Sequence, residues 1–355
     1  MNVASVAATP VPSGVCSPAR ERTLERDGTC FTREALGRLI EAWNASPGGR
    51  ESPIRGWRGK PKGWRWEQLR DRMVPACGGG AGAGAGPSGA MEACWIDRLQ
   101  PRDPEVIRSL RPSKPSSWKA NPYTWLTNHD IEAVMRQYAD EPTYHYAFLG
   151  VFPIDFEARG AFGTCLYEEI CALSLKKLWR QGVRYIGMIT NLDRHDEPGS
   201  HWTSLFAVID PGNPAYGAYY YDSVARSPPK EIGAFMDKIE AQCKGLPGGG
   251  GGARPFRKDW NRTQHQYANT ECGLFSMGYQ IRWIERLREA PDGTRFEDVV
   301  HIKIKDADIH RLRDVLFRPA AASAAGGARR RPRAKPTPAK PKSTDGSGRR
   351  GGRRA

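Results

Sequence analysis

The chain has no apolar run approaching the ~20 residues a helix needs to cross a bilayer. Its N-terminus has no basic stretch leading into an apolar one, so no secretory signal is read from it. No Cys-x-x-Cys pair occurs and no Cys/His cluster has zinc-finger spacing, which leaves no pattern for a structural metal. No internal repeat is apparent, and no heptad pattern is long enough for a coiled coil. Acid is short relative to base: the formal charge is +15, yet eleven Arg or Lys against one Asp in residues 329–355 place +10 of it there. The remaining charge of about +5 is ordinary for a soluble domain. These absences predict a soluble chain, intracellular or packaged inside something, with no membrane insertion.

Cysteine is present but not dense. The eight (16, 30, 77, 94, 165, 171, 243 and 272) are too few in 355 residues for a disulfide mini-scaffold, so free thiols in a reducing compartment are expected. A core is well supplied, with 39% hydrophobic residues, 11 Trp, 12 Tyr and 11 Phe. Residues 1–13, the glycine-rich "GGGAGAGAGPSGA" (78–90), "GLPGGGGGARP" (245–255) and the low-complexity tail 318–355 can bury little, and composition predicts them to be flexible or disordered.

Between these breaks the periodicity is regular. "REALGRLIEAWN" (33–44) and "WEQLRDRMV" (66–74) have helical apolar spacing, and "TNHDIEAVMRQYAD" (127–140) is a helix capped by Thr127 or Asn128. "GTCLYEEICALSLKKLWRQG" (163–182) predicts one long helix ended by Gly182. The period then changes to that of strands in "VRYIGMITNL" (183–192), "HWTSLFAVID" (201–210) and "AYGAYYYDS" (215–223). A helix over 230–244, a short strand near 255–262 and a helix opening at Cys272 follow. Strands grouped together between helices indicate an α+β class rather than a doubly wound sheet.

Cys272 stands directly before Gly273 at the head of an apolar helix. His201 opens one strand and Asp222 ends the next, so neighbouring strands would bring the pair together in front of that thiol. A thiolate is the reactive form of cysteine, and both an imidazolium and a helix N-terminus favour it. Asp222 would fix the imidazole's tautomer. Gln266, six residues before Cys272, offers a side-chain N–H to an oxyanion, beside the backbone N–H of Cys272. Taken singly, each has a blander reading: a packed core thiol, a structural histidine, a turn aspartate and a glutamine with no signal at all. Their order in the chain argues for the set. Competitors are His195 in the acidic loop "DRHDEPGS", His265, whose side chain would point away from that of Gln266, and the acids Asp193, Asp196 and Asp210. Cys165 and Cys171 are expected mid-helix and structural.

"HWTSLFAVID", "YYYDS" and "QYANTECGLF" resemble the His, Asp and Gln…Cys blocks of SUMO-specific (ubiquitin-like-protein) cysteine proteases. Residues 16–44 and 125–156 are similar to segments of the family's branch in large nucleocytoplasmic DNA viruses, so the resemblance spans roughly 14–317. It implies a cysteine-protease fold with a central mixed sheet packed between helices, a catalytic domain over 141–317 and a mainly helical region over 14–140. Residue by residue it makes Cys272 the nucleophile, His201 the acid and base, Asp222 the orienting carboxylate and Gln266 the oxyanion donor, with Trp202 lining a channel that admits Gly before the scissile bond. It implies a protein substrate, either a viral structural polyprotein cut after Gly-Gly-like pairs or a ubiquitin-like conjugate, no cofactor or metal, and action in the virion and the host cytoplasm. Glu271 departs from the Asp that usually precedes the nucleophile. The tail, with Arg329, Arg330, Arg331 and Arg333, offers electrostatic binding to DNA, a nuclear localisation signal or mere solubility; a non-catalytic DNA-associated virion protein is the alternative built on it.

Overall fold

The strand-like runs fold into one five-stranded sheet in a computed structural model of the chain, which describes residues 15–77, 88–250, 254–301 and 304–319. The strands are β1 (Tyr146–Pro153), β2 (Tyr185–Asn191), β3 (Trp202–Val208), β4 (Gly217–Tyr221) and β5 (Arg257–Trp260), and their spatial order is that of the chain. The outer pairs β1–β2 and β4–β5 are parallel and the inner pairs are antiparallel, so the sheet is mixed.

Strands β2 to β4 read as nearly continuous apolar runs because both faces of the sheet are covered. Alternate residues serve alternate cores. Ile189, Trp202, Phe206, Tyr219 and Tyr221 face one cluster, while Met188, Leu205, Ala207, Ala218 and Tyr220 face the other. In β1 a bulge between Phe148 and Gly150 reverses the alternation, which sends Phe148 to the first core and Phe152 to the second.

Six helices of twelve residues or more occur among the described residues: α1 (Arg33–Ala45), α2 (Lys62–Cys77), α3 (Ser88–Leu99), α4 (Asn128–Ala139), α5 (Lys230–Cys243) and α6 (Cys272–Glu289). Thr127 is the cap of α4, in a reciprocal capping box with Asp130. α4 and α6 cover the first face of the sheet and α5 covers the second, while α1 to α3 gather a third core around Phe31, Leu36, Leu39 and Trp95. The expected boundary at 140/141 directly follows α4, whose buried Ile131, Val134 and Met135 belong to the sheet's first core.

Two expectations are corrected. The helix over 163–182 is broken into Glu168–Cys171 and Leu175–Arg180, because the Ser174 side chain accepts the Lys177 N–H and restarts the chain as a new helix. Cys165 thus lies outside any helix, in a bridge with Arg159. The free-thiol expectation fails for six of the eight cysteines: Cys16 pairs with Cys30, Cys77 with Cys94 and Cys165 with Cys171, leaving Cys243 and Cys272 free. Folding brings together sulfurs whose spacing in the chain fits no motif. The arginines 329, 330, 331 and 333, with the rest of the basic tail, lie outside the described residues.

α6 is keyed to the sheet by Gln280, which is fully buried. Its Nε2 donates to Met188 O (2.8 Å) and Ser204 Oγ (2.9 Å), and its Oε1 accepts from the Tyr146 hydroxyl. Gly187 makes room for this lock: a Cβ there would stand 2.2 Å from Gln280 Oε1 and 2.6 Å from the Tyr146 hydroxyl. We expect Gly187→Ala to cost about 1–3 kcal/mol by overpacking, read as a lower urea midpoint with an unchanged slope. Thiol titration of the denatured, unreduced protein should find two thiols rather than eight.

Candidate active site

The register of β3 with β4, Ser204 opposite Tyr221, puts the start of one strand beside the end of the other. His201, just before β3, therefore meets Asp222, just after β4: its Nε2 lies 2.6 Å from Asp222 Oδ1. Asp222 is completely buried, and the same oxygen also accepts the Val224 N–H at 2.9 Å. With Nε2 occupied, Nδ1 is the ring nitrogen left for Cys272, whose sulfur is near enough to help raise the imidazole's pKa.

Cys272 opens α6 and is only 2% exposed. No side chain caps this helix at Glu271, so the dipole's positive end bears on the sulfur. Gly273 is required by proximity. A Cβ on it would come to 3.1 Å from Leu126 Cδ1 and 3.3 Å from Trp202 Cδ1, the side chains that wall the approach to the thiol.

Burial is the largest influence on His201 and lowers its pKa. The hydrogen bonds to Asp222 and Cys272, with the charges of both, outweigh it and raise the imidazole from 6.5 to about 9. An imidazolium is thus the stable form at neutral pH, the condition a neighbouring thiolate needs. Cys243, the other free thiol, lies in the second core, where burial pushes it up to about 12.

Gln266 lies in the segment between β5 and α6, and it is anchored at both ends. Its Oε1 accepts from Ser223 Oγ (2.7 Å), next to Asp222, and its Nε2 donates to Ala268 O (2.7 Å). A primary amide has two N–H bonds, so this anchoring leaves one free. Trp202 lines a groove of about 480 Å³ with Trp125, Leu126, Val151, Asn191 and His195. Its indole N–H donates to Leu126 O at 3.0 Å, tying the two walls together.

The competitors separate cleanly. His265 is buried with its Nδ1 2.8 Å from the Tyr221 hydroxyl, and burial lowers it to about 4. His195 pairs with Asp155 (2.6 Å) on the groove's rim. Asp210 accepts the Gly212 N–H and makes a turn. Asp193 accepts from Ser200 Oγ. Trp125 and Leu126 are wall residues that sequence reasoning does not single out; their signal is an aromatic–aliphatic pair just ahead of the capped α4. Asn261 is a second such residue: its Oδ1 accepts the Asp222 N–H (2.9 Å) and its Nδ2 donates to Asp222 O (2.7 Å). Nothing local marks it, since the contact spans 39 residues. Among the described residues no group of three His, Cys, Asp or Glu is placed to hold a metal, and no helix is long and apolar enough to cross a membrane.

An NMR titration of His201 should give a pKa near 9 in the wild type and a lower one in Cys272→Ala, where the sulfur's hydrogen bond and charge are lost. Because the folded value exceeds the unfolded 6.5, the stability from this group is complete below about pH 6.5 and is lost as pH rises through about 9. A wild-type value at or below 6.5 would mean that the ion pair does not form.

No protein-family model matches the chain. A curated relative is "Putative thiol protease R355" of Acanthamoeba polyphaga mimivirus, 25% identical over 325 residues and covering 86% of this chain and 93% of that protein. Among solved structures, the ASFV (African swine fever virus) pS273R protease superposes with a TM-score of 0.51 at 16% identity, covering 88% of this chain and 98% of that one. The C-terminal Ulp1 protease domain, solved with the yeast SUMO orthologue SMT3, superposes more loosely, with a TM-score of 0.32 over 55% of this chain and 76% of that one. The chain has the fold of the African swine fever virus protease, and the viral branch of the resemblance, read from residues 16–44 and 125–156, agrees with its similarity to the mimivirus protein.

Proposed function

We propose that the chain is a cysteine endopeptidase that cuts after Gly-Gly or a similar small pair in viral structural precursors during particle assembly. The observation that carries this reading is His201 bridging Cys272 and Asp222 in a buried site at a helix N-terminus. In the reaction, Cys272 attacks the scissile carbonyl as the thiolate while His201 holds the proton. The developing oxyanion takes the free N–H of Gln266 and the backbone N–H of Cys272. His201 then gives its proton to the leaving amine, and water hydrolyses the thioester with His201 as base. Asp222 keeps the ring turned so that Nδ1 faces the sulfur throughout.

The groove supports the small-residue preference. Leu126 and Trp202, which line the groove, also pack against Gly273, next to Cys272, and leave little room there for a bulky side chain. The mechanism uses no metal or cofactor. We infer that the enzyme acts in the host cytoplasm and in the virion, a reading the viral resemblance supports. The complete Cys–His–Asp–Gln set argues against a degenerate, non-catalytic virion protein.

Fluorogenic peptides carrying Gly-Gly-X and Ala-Gly-X, with SUMO and ubiquitin fusions alongside, test the reading. The wild type should cut after the second small residue, Cys272→Ala should not cut at all, and Gln266→Ala should be slower by about a hundred- to a thousand-fold. Cleavage that survives in Cys272→Ala would sink the assignment. Turnover of the fusions alone would replace the precursor substrate with a ubiquitin-like one.

A further inference from the structure

The segment between Gln266 and Cys272 has to hold still if it is to present an oxyanion donor, and secondary structure does not hold it: residues 267–271 belong to no helix or strand. What fixes it comes from elsewhere in the chain. Asp306, at the first position of the short helix Asp306–His310, lies 38 and 39 residues away in sequence. Its carboxylate accepts two consecutive backbone N–H groups of the segment. Tyr267 N–H reaches Oδ2 at 3.0 Å and Oδ1 at 3.3 Å, and Ala268 N–H reaches Oδ2 at 3.1 Å.

These bonds bear directly on Gln266. Ala268, whose N–H is held by Asp306, is the residue whose carbonyl accepts from Gln266 Nε2 at 2.7 Å. The residue whose carbonyl orients the glutamine amide is therefore itself tethered at its N–H by a carboxylate, through bonds that a charge makes roughly twice as strong as neutral ones. At the other end of the amide, Ser223 Oγ donates to Oε1. The chain Asp306–Ala268–Gln266–Ser223 ends one residue from Asp222.

The same C-terminal segment touches the site twice more. His310 Nδ1 lies 3.3 Å from Oε1 of Glu271, the residue immediately before the thiol, and an Arg313 N–H donates to Thr124 O at 2.6 Å, beside Trp125 of the groove wall. Asp306 is the member whose contact leads to the oxyanion donor.

We propose that Asp306 is a positioning residue for the oxyanion hole: by holding the Tyr267 and Ala268 N–H groups it fixes the direction of the Gln266 side chain. The inference rests on the reading of Gln266 as an oxyanion donor. Asp306 never touches substrate, so its removal should leave the thiolate intact and weaken only what depends on the hole.

Two probes separate these effects. Iodoacetamide alkylates Cys272 at a rate set by the thiolate and needs no oxyanion hole. A peptide ending in Gly-glycinal forms a hemithioacetal with Cys272 whose oxyanion occupies the hole. In Asp306→Ala we expect alkylation within about twofold of wild type, kcat reduced by about ten- to a hundred-fold with KM little changed, and glycinal affinity reduced in step with kcat. Asp306→Asn, which keeps an acceptor oxygen but loses the charge, should recover part of both. Thermal unfolding of each variant is followed in parallel, and if Asp306→Ala does not fold, the comparison of Asp306→Asn with wild type carries the test.

Wild-type kcat and glycinal affinity in a folded Asp306 variant would overturn the proposal. So would a parallel loss of alkylation rate, which would make Asp306 a general support of the site. If Gln266→Ala also leaves glycinal affinity unchanged, the failure lies instead in the reading of Gln266, and activity in Cys272→Ala would place it in the enzyme class.

Discussion

Everything at the candidate site depends on how α6 lies across the middle of the sheet. The helix brings the thiol, while β3 and β4 bring the imidazole and the carboxylate. A helix that rotated or slid by one residue would carry the sulfur away from the ring. Apolar packing alone tolerates such slips, because one greasy contact replaces another at small cost. Directional bonds do not. Gln280 fastens the helix to β2 and β3, and Ser276 Oγ donates to the carbonyl of Trp202, the residue after the histidine. These bonds sit in the most buried layer of the protein, where an unmet polar group is expensive, so the position of Cys272 is held by the penalty for every alternative.

The electrostatics build on that placement. Burying a histidine favours its neutral form, and in His265, bonded to the Tyr221 hydroxyl, burial aided by the Arg282 charge prevails. His201 is also largely buried and yet goes the other way, because an acid stands on each side of it. The difference between the two rings is one of company rather than of depth. Asn261 completes the arrangement by clamping the backbone of Asp222 on both its N–H and its carbonyl, so that the carboxylate's direction is set by main-chain bonds.

Much of this was legible in the residues. The strand-like runs located β2, β3 and β4, the Thr127 cap located α4, and the order of the strands anticipated that His201 would meet Asp222. Local patterns stop where a contact joins distant parts of the chain. Nothing near Cys16 announces Cys30, and nothing near Asn261 or Asp306 announces a role at a site 39 residues away. The long helix read over 163–182 failed for a related reason. Its apolar spacing is helical, but one serine that satisfies a backbone N–H from its own side chain outbids the periodicity. β1 gave no period-two signal because its residues, YAFLGVFP, are apolar almost throughout.

The disulfide between Cys77 and Cys94 has a consequence for how this protein can change over generations. It staples the end of α2 to the middle of α3, on either side of the glycine- and alanine-rich stretch. With the two anchors joined covalently, their separation is set by the bond itself, and lengthening the chain between two such anchors adds only about 0.6 kcal/mol per doubling. Insertions, deletions and replacements can accumulate there without disturbing the helices that flank it, and a backbone cut inside it would leave one covalent molecule.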